Sequence, residues 1–370
     1  MKDIEIANKN RSILNDFYQV LKASDEHLKF IFLTGVTKFS KTSIFSGLNN
    51  LTDITLNPNF SNICGYTKNE LNKYFKQYID NFSKNNNISS KDLLSLIEKW
   101  YDGYPWDGTN HLYNPYSILS LFNSGEFGNY WFETGTPSFL MDFIKNNKST
   151  NTLFKPNTTI SGNFPSFNIE NLDFTTLLLQ TGYLTIKEKE VNVGHLTKYE
   201  LAIPNQEVSQ SLFTSIISEF SNQNSAEIST IAEKILKSIA NLDNDSLQEA
   251  FDILVANIPA VLYGKVKKDI REANYHIWIL SWFRLMGFFV IGEPPSSQGT
   301  TDIILKKDNL IVICELKYSK NKPLKNLAIK ATNQIKDKKY YTPYLDYNII
   351  FLGIAFGNRE IISHIETLKK

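Results

Sequence analysis

The stretch LIVICELKY, Leu310 to Tyr318, constrains this chain more than any other. Side chains of a strand alternate between its two faces. One face takes Leu310, Val312, Cys314, Leu316 and Tyr318, and the other takes Ile311, Ile313, Glu315 and Lys317. Both faces start apolar, as a central strand covered on both sides requires. Glu315 and Lys317 then put two charges on one face of that buried strand. An uncompensated buried charge costs several kcal/mol, so the fold must supply partners. Just upstream, TDIIL (301–305) reads as another strand, and Lys306-Lys307-Asp308-Asn309 as the tight polar turn of a hairpin. Folding back there brings Asp302 opposite or diagonal to Glu315, with Cβ atoms about 5–8 Å apart. Two carboxylates that close repel unless a cation lies between them, and oxygen ligands suit Mg²⁺ or Mn²⁺. Lys317 points at the same spot, where it can stabilise charge on a phosphoryl oxygen or orient an attacking water. A solvent-facing Glu–Lys pair at a strand end is the plainer reading of the same residues.

The surrounding sequence favours the buried reading. From Phe251 onward it runs as a strongly apolar helix (REANYHIWILSWFRLMGF), then strands FVIGE, TDIIL and LIVICELKY. An amphipathic helix follows, opened by Pro323 and stopped by Thr342-Pro343, and YNIIFLGIAF is the last strand. This αβββαβ order predicts a small mixed sheet flanked by helices. Further upstream, residues 8–23 space Ile13, Leu14, Phe17 and Leu21 as an amphipathic helix, and Phe30–Thr34 reads as a buried strand. Lys68 to Tyr101 is helical, with Ser90 as an N-cap, and the aromatic, Gly- and Pro-rich stretches 101–117 and 129–140 read as packed turns. Residues 145–159 form a polar linker. LLLQTGYLTIKEKE and KYELAIPNQEVSQSLF give a helix end, a hairpin and a further helix, before helices near 209–221 and 225–240. With a second boundary at 241–246, three parts are expected, 1–145, 146–246 and 247–370.

Composition excludes several classes. A chain of 370 residues that is 42% hydrophobic and 13% aromatic can bury sizeable cores. Its formal charge of +1 gives no global field toward nucleic acid or membrane. The charge is uneven, however: residues 301–370 hold thirteen Lys or Arg against seven Asp or Glu. Cys64 and Cys314 are the only cysteines, too few for a disulfide framework or a cysteine-ligated zinc site. The opening MKDIEIANKNRS lacks the apolar core of a secretory signal, and no run approaches the ~18 apolar residues of a membrane span. A cytoplasmic protein without membrane partners is expected.

Asp302 and Glu315-Leu316-Lys317, set within αβββαβ order, resemble the PD-(D/E)xK nuclease superfamily, and more narrowly the nuclease domain fused to the bacterial AAA-ATPase-like family. The resemblance covers nearly the whole chain, through FIFLTGVTKFSK, ICGYTKNEL, WYDGYPW, YNPYSIL, YWFETGTPSFL, LLLQTGYLTI and IPNQEV. It implies a partial AAA-like N-terminal region with a helical lid, a helical and winged-helix-like connector, and a restriction-endonuclease-like C-terminal domain. It also implies a wider site. Glu272 and His276 on the first helix and Glu293 at the end of FVIGE match the family pattern, as do Gln334 and Tyr340 on the following helix. Thr300 stands where the family has arginine. The expected metal set is Asp302, Glu315, Glu272 and Glu293, and the expected catalytic set adds Lys317, Gln334 and Tyr340.

Gly35 to Thr42 mimics a phosphate-binding loop, but Ser40 replaces the second glycine, and a Cβ there hinders close approach of the loop amides to phosphate. In the family that this chain resembles, the nucleotide elements lie upstream of this segment, so an N-terminally truncated, degenerate ATPase-like region is expected. A partner chain could complete its sheet. The reading is thus a metal-dependent nuclease acting on nucleic acid, DNA in the first place. The alternative is a non-catalytic nucleic-acid-binding or protein-interaction module.

Overall fold

The computed structural model describes residues 4–35, 51–132, 158–161, 174–191, 196–221, 223–256, 278–290, 303–319, 323–357 and 360–368. They group into two compact units. One holds the described residues up to Phe127 together with those from 158 to Asn205; the other holds Gly128–Phe132 and those from Gln206 onward.

The first unit begins with α1 (Ile4–Ala23). Its spacing is amphipathic as expected, yet Ile6, Ile13, Leu14, Phe17 and Val20 are all exposed. The expected strand at Phe30–Thr34 is not formed. These residues adopt no regular structure; Phe30 is 80% and Phe32 47% exposed, their rings stacked 6.4 Å apart. An apolar run becomes a strand only when another strand takes its amides, and among the described residues none pairs with this one.

A tighter helical group follows: α2 (Lys68–Tyr74), α3 (Lys76–Asn85), α4 (Ser90–Tyr101) and α5 (Pro115–Ser124). Thr67 and Glu70 close a reciprocal capping box on α2. The α4 cap is Ser89, whose Oγ accepts from the Asp92 amide at 3.1 Å; Ser90, expected to be the cap, is instead the first helical residue. Leu71, Ile79, Leu93, Ile97, Tyr101, Ile118 and Leu121 are buried between these helices. The aromatic turn after α4 is packing, as the sequence suggests, with Tyr101, Tyr104 and Tyr113 buried. Asp107 pins that turn: Oδ1 accepts from the Thr109 and Asn110 amides (2.9 and 2.8 Å), and Oδ2 from the Asn110 side chain. A short helix, α6 (Phe174–Gln180), and a three-stranded antiparallel sheet complete the unit. The sheet orders β1 (Thr158–Ser161), β3 (Lys198–Ala202) and β2 (Thr185–Glu190) with β3 central.

The second unit carries α7 (Gln206–Ser221), α8 (Ser225–Asn241), α9 (Asn244–Ala256), the helical residues 278–285 as α10, and α11 (Leu324–Asp337). They accompany a five-stranded sheet in the order β4 (Phe289–Val290), β5 (Ile303–Lys307), β6 (Leu310–Tyr318), β7 (Asn348–Phe356) and β8 (Ile361–Thr367). The expected hairpin is present: β5 and β6 pair antiparallel from Lys307↔Leu310 to Ile303↔Cys314 around Asp308-Asn309, with Asp308 at φ 51°. Such a two-residue turn needs left-handed backbone, which Asp tolerates. β6 and β7 run parallel, joined through α11, which packs on both. β6 is therefore central and buried, as its composition demands.

Strand β8 is absent from the αβββαβ reading. It runs antiparallel to β7 at the edge of the sheet. Its outer backbone is covered by two amides one helical turn apart on α9. Asn244 exchanges hydrogen bonds with Ile365 (3.0 and 2.9 Å), and Gln248 bonds the Ile361 carbonyl and the Ser363 amide (2.7 and 3.0 Å). Side chains thus replace a neighbouring strand and blunt the edge. They also fasten α9, which begins within the 241–246 stretch, to the sheet.

Candidate functional site

Alternation along β6 sends Ile311, Ile313, Glu315 and Lys317 toward α11. Ile311 and Ile313 join Ile335, Ile349 and Phe351 in one apolar cluster, and farther along Leu324 and Ala328 pack on Ala355. Helix α11 therefore runs antiparallel to β6. Between these two clusters the next residue on this face is charged. Glu315 is 0% exposed and pairs in register with Gly353 of β7. A Cβ on Gly353 would lie 2.1 Å from the Ala328 carbonyl oxygen, so only glycine lets α11 settle this close. Sequence reasoning missed Gly353; its one signal was a glycine inside an otherwise apolar strand.

The close approach closes a three-membered polar cluster. Glu315 Oε1 accepts from Lys317 Nζ at 2.6 Å and from Gln334 Nε2 at 2.6 Å. Lys317 Nζ also donates to Gln334 Oε1 at 2.6 Å. The amide of Gln334 can serve both neighbours in only one orientation, nitrogen to carboxylate and oxygen to ammonium. Each member fixes the other two. A buried carboxylate is tolerable when hydrogen-bonded to a cation and a neutral donor. The Lys317 side chain is 15% exposed, so the cluster is anchored inside the sheet and opens outward through the lysine.

Glu315, Lys317 and Gln334, all singled out from the sequence, thus meet at one point. Tyr340 lies elsewhere. It follows the end of α11 and packs against the Ile311–Ile313–Phe351 cluster, with Lys338 Nζ 5.4 Å from its ring centroid. Asp302, Glu272, Glu293, His276 and Thr300 lie outside the described residues, as do Ser40, Lys41 and Thr42 of the phosphate-loop look-alike. Among the described residues, no group of three or more His, Cys, Asp or Glu could hold a metal ion. No described helix is long and apolar enough to cross a membrane.

Comparison with known proteins bears on this geometry. A family model described as PD-(D/E)XK nuclease superfamily matches residues 270–365, and one described as predicted AAA-ATPase matches residues 1–45. A protein of Azotobacter chroococcum mcd 1, described as "Uncharacterized protein in vnfD 5'region", is 31% identical over 365 residues, covering 98% of this chain and 67% of its own length. This chain belongs to the AAA-ATPase-like family with a PD-(D/E)XK nuclease domain. No solved structure matches it. The nuclease-superfamily match spans β4 to β8 and contains the whole Glu315–Lys317–Gln334 cluster. Nucleases of this superfamily usually use divalent metal ions, and a nuclease domain implies a nucleic-acid substrate. The chemistry present fits such an ion: a hard carboxylate held rigidly, next to a lysine that can face phosphate.

Proposed function

We propose that this protein hydrolyses phosphodiester bonds of nucleic acid, DNA first, at the Glu315–Lys317–Gln334 cluster, with Mg²⁺ or Mn²⁺ as cofactor. The observation that carries this reading is the burial of Glu315 at 0% exposure in direct contact with Lys317 and Gln334. Packing alone gives no reason to place a charged pair there, because apolar residues of similar volume commonly serve a core as well or better.

Glu315 is one ligand in this proposal. Asp302 is the second: it precedes Ile303, whose ladder partner is Cys314, and carrying that register one residue further would set Asp302 against Glu315. Glu272 and Glu293 complete the acid set. A bound divalent ion supplies positive charge to the scissile phosphate and lowers the pKa of water. The chain's own residues do the rest. Lys317, a donor only, hydrogen-bonds a phosphoryl oxygen or the attacking water as negative charge builds up. Gln334 holds Glu315 and Lys317 in fixed orientation, so neither must reorganise during the reaction. In this proposal the ATPase-like region contributes no nucleotide hydrolysis at Gly35–Thr42, because the sequence has Ser40 where a phosphate-binding loop has its second glycine.

The test compares wild type, Glu315→Gln and Lys317→Met on plasmid, single-stranded DNA and RNA with Mg²⁺ or Mn²⁺. Wild type cleaves, and each variant loses at least about a hundredfold in rate while keeping its circular dichroism. Cleavage retained by both variants would remove these residues from the chemistry. Absence of cleavage by all three would favour a non-catalytic binding module.

A further inference from the structure

We infer that Lys330 is a phosphate-contacting residue, and that the nucleic-acid backbone runs along the exposed flank of α11 on the Glu315 side. This rests on reading the Glu315–Lys317–Gln334 cluster as a nuclease site.

The contact from Gln334 to Glu315 fixes the rotational phase of α11. At about 100° per residue, Ala328, Ala331, Thr332 and Ile335 form the buried stripe and Gln334 marks its border toward β6. Lys330, one turn earlier, lies about 40° farther out from that border and about 6 Å along the axis. The helix runs antiparallel to β6, with Leu324 and Ala328 over Ala355 and Ile335 over Ile311 and Ile313. Moving from Gln334 toward Lys330 therefore moves toward Lys317, the one point where the cluster opens to solvent. Helical side chains also lean toward the N-terminus, which carries the Lys330 ammonium the same way.

Among the described residues, four other lysines of this domain are already engaged, whereas Lys325 and Lys339, like Lys330, have no side-chain partner. Lys306 Nζ donates to Tyr347 Oη (2.9 Å) and Lys307 Nζ to the Met286 carbonyl (2.6 Å). Lys336 pairs with Glu366 on β8 at 2.6 Å, at the opposite border of the helix, and Lys338 sits over Tyr340. Lys330 is exposed, and no ion pair or hydrogen bond to another described residue is found for it. Lys330 is thus an ammonium with no described internal anion, on the flank of the helix that covers the acid–lysine cluster. With the scissile phosphate at Lys317, Lys330 meets a neighbouring phosphate of the same strand.

The experiment measures the salt dependence of binding by fluorescence anisotropy in EDTA, so that nothing is cut. Wild type, Lys330→Gln and Lys325→Gln are titrated with labelled duplex DNA, single-stranded DNA and RNA of one sequence. Lys325 lies on the same helix at about 180° from Gln334 and serves as the control. Lys330→Gln is expected to weaken binding about five- to tenfold and to reduce the log–log salt slope by about 0.7–0.9, one phosphate contact. Lys325→Gln leaves both unchanged. With metal restored, Lys330→Gln raises KM more than it lowers kcat. Equal affinity and slope for wild type and Lys330→Gln, in a protein whose cleavage still depends on Glu315, would overturn the inference and leave the nuclease reading intact. Equal losses from both variants would show diffuse charge and also overturn it. A wild type that neither binds nor cleaves would sink both.

Discussion

Phe30-Ile31-Phe32-Leu33 and Leu310-Ile311-Val312-Ile313 are nearly interchangeable as strings of large apolar residues. The second is the start of β6, with β5 on one side and β7 on the other and its side chains buried on both faces. The first forms no strand, and two of its phenylalanines stand in solvent. The difference lies in what the neighbouring sequence offers. β6 is preceded by a two-residue hairpin turn and followed by a helix that returns β7 beside it, so partners for its amides arrive within forty residues on either side. The described residues around Phe30 bring no such partner. Apolar content drives a segment out of water, but ladder hydrogen bonds decide whether it becomes a strand.

This contrast can be broken by introducing a charge into each run. Ile313→Asp places an unpaired carboxylate in the centre of the sheet and should destabilise the C-terminal unit by about 4 kcal/mol or more. Phe32→Asp should change stability by less than about 0.5 kcal/mol. Urea unfolding followed by tryptophan fluorescence reports the first, because Trp278 and Trp282 are buried in that unit. Comparable losses from both substitutions would mean that the Phe30 run is buried after all.

A smaller effect sharpens the same comparison from a segment ordered by hydrogen bonds rather than by a ladder. Burial pushes the Asp107 carboxyl up, but hydrogen bonds from Asn110 and Thr109 outweigh it and hold the group well below the usual carboxylate range. Its folded pKa is depressed, so its contribution is present above the unfolded value near 3.8 and lost as pH falls through and below that value. Asp107→Ala should cost the N-terminal unit about 1–2 kcal/mol at neutral pH, with the difference from wild type shrinking as acid is added. An unchanged gap at acidic pH would assign the loss to packing instead.

The central strand, its hairpin and the helix carrying Gln334 were legible because each left a local mark: apolar residues on both faces, a polar turn, and a 3.6-residue period. The meeting of Gln334 with Glu315 was legible only through resemblance, since it depends on how closely α11 lies on β7, and Gly353 sets that distance. Strand β8 was illegible for another reason. IISHIET mixes polar residues into an edge whose amides are satisfied by Asn244 and Gln248, more than a hundred residues earlier. Phe30–Thr34 was misread because periodicity cannot tell a buried strand from an apolar run that lacks a partner.

The central claim is that Asp302 and Glu315 share one divalent ion beside Lys317. Calorimetric titration of Mn²⁺ into wild type, Asp302→Asn, Glu315→Gln and the double variant tests it without relying on cleavage. The account predicts that each single substitution weakens binding at least about tenfold and that the double adds little beyond either, as for two ligands of one ion. Mn²⁺ bound as tightly by both single variants as by wild type would contradict it.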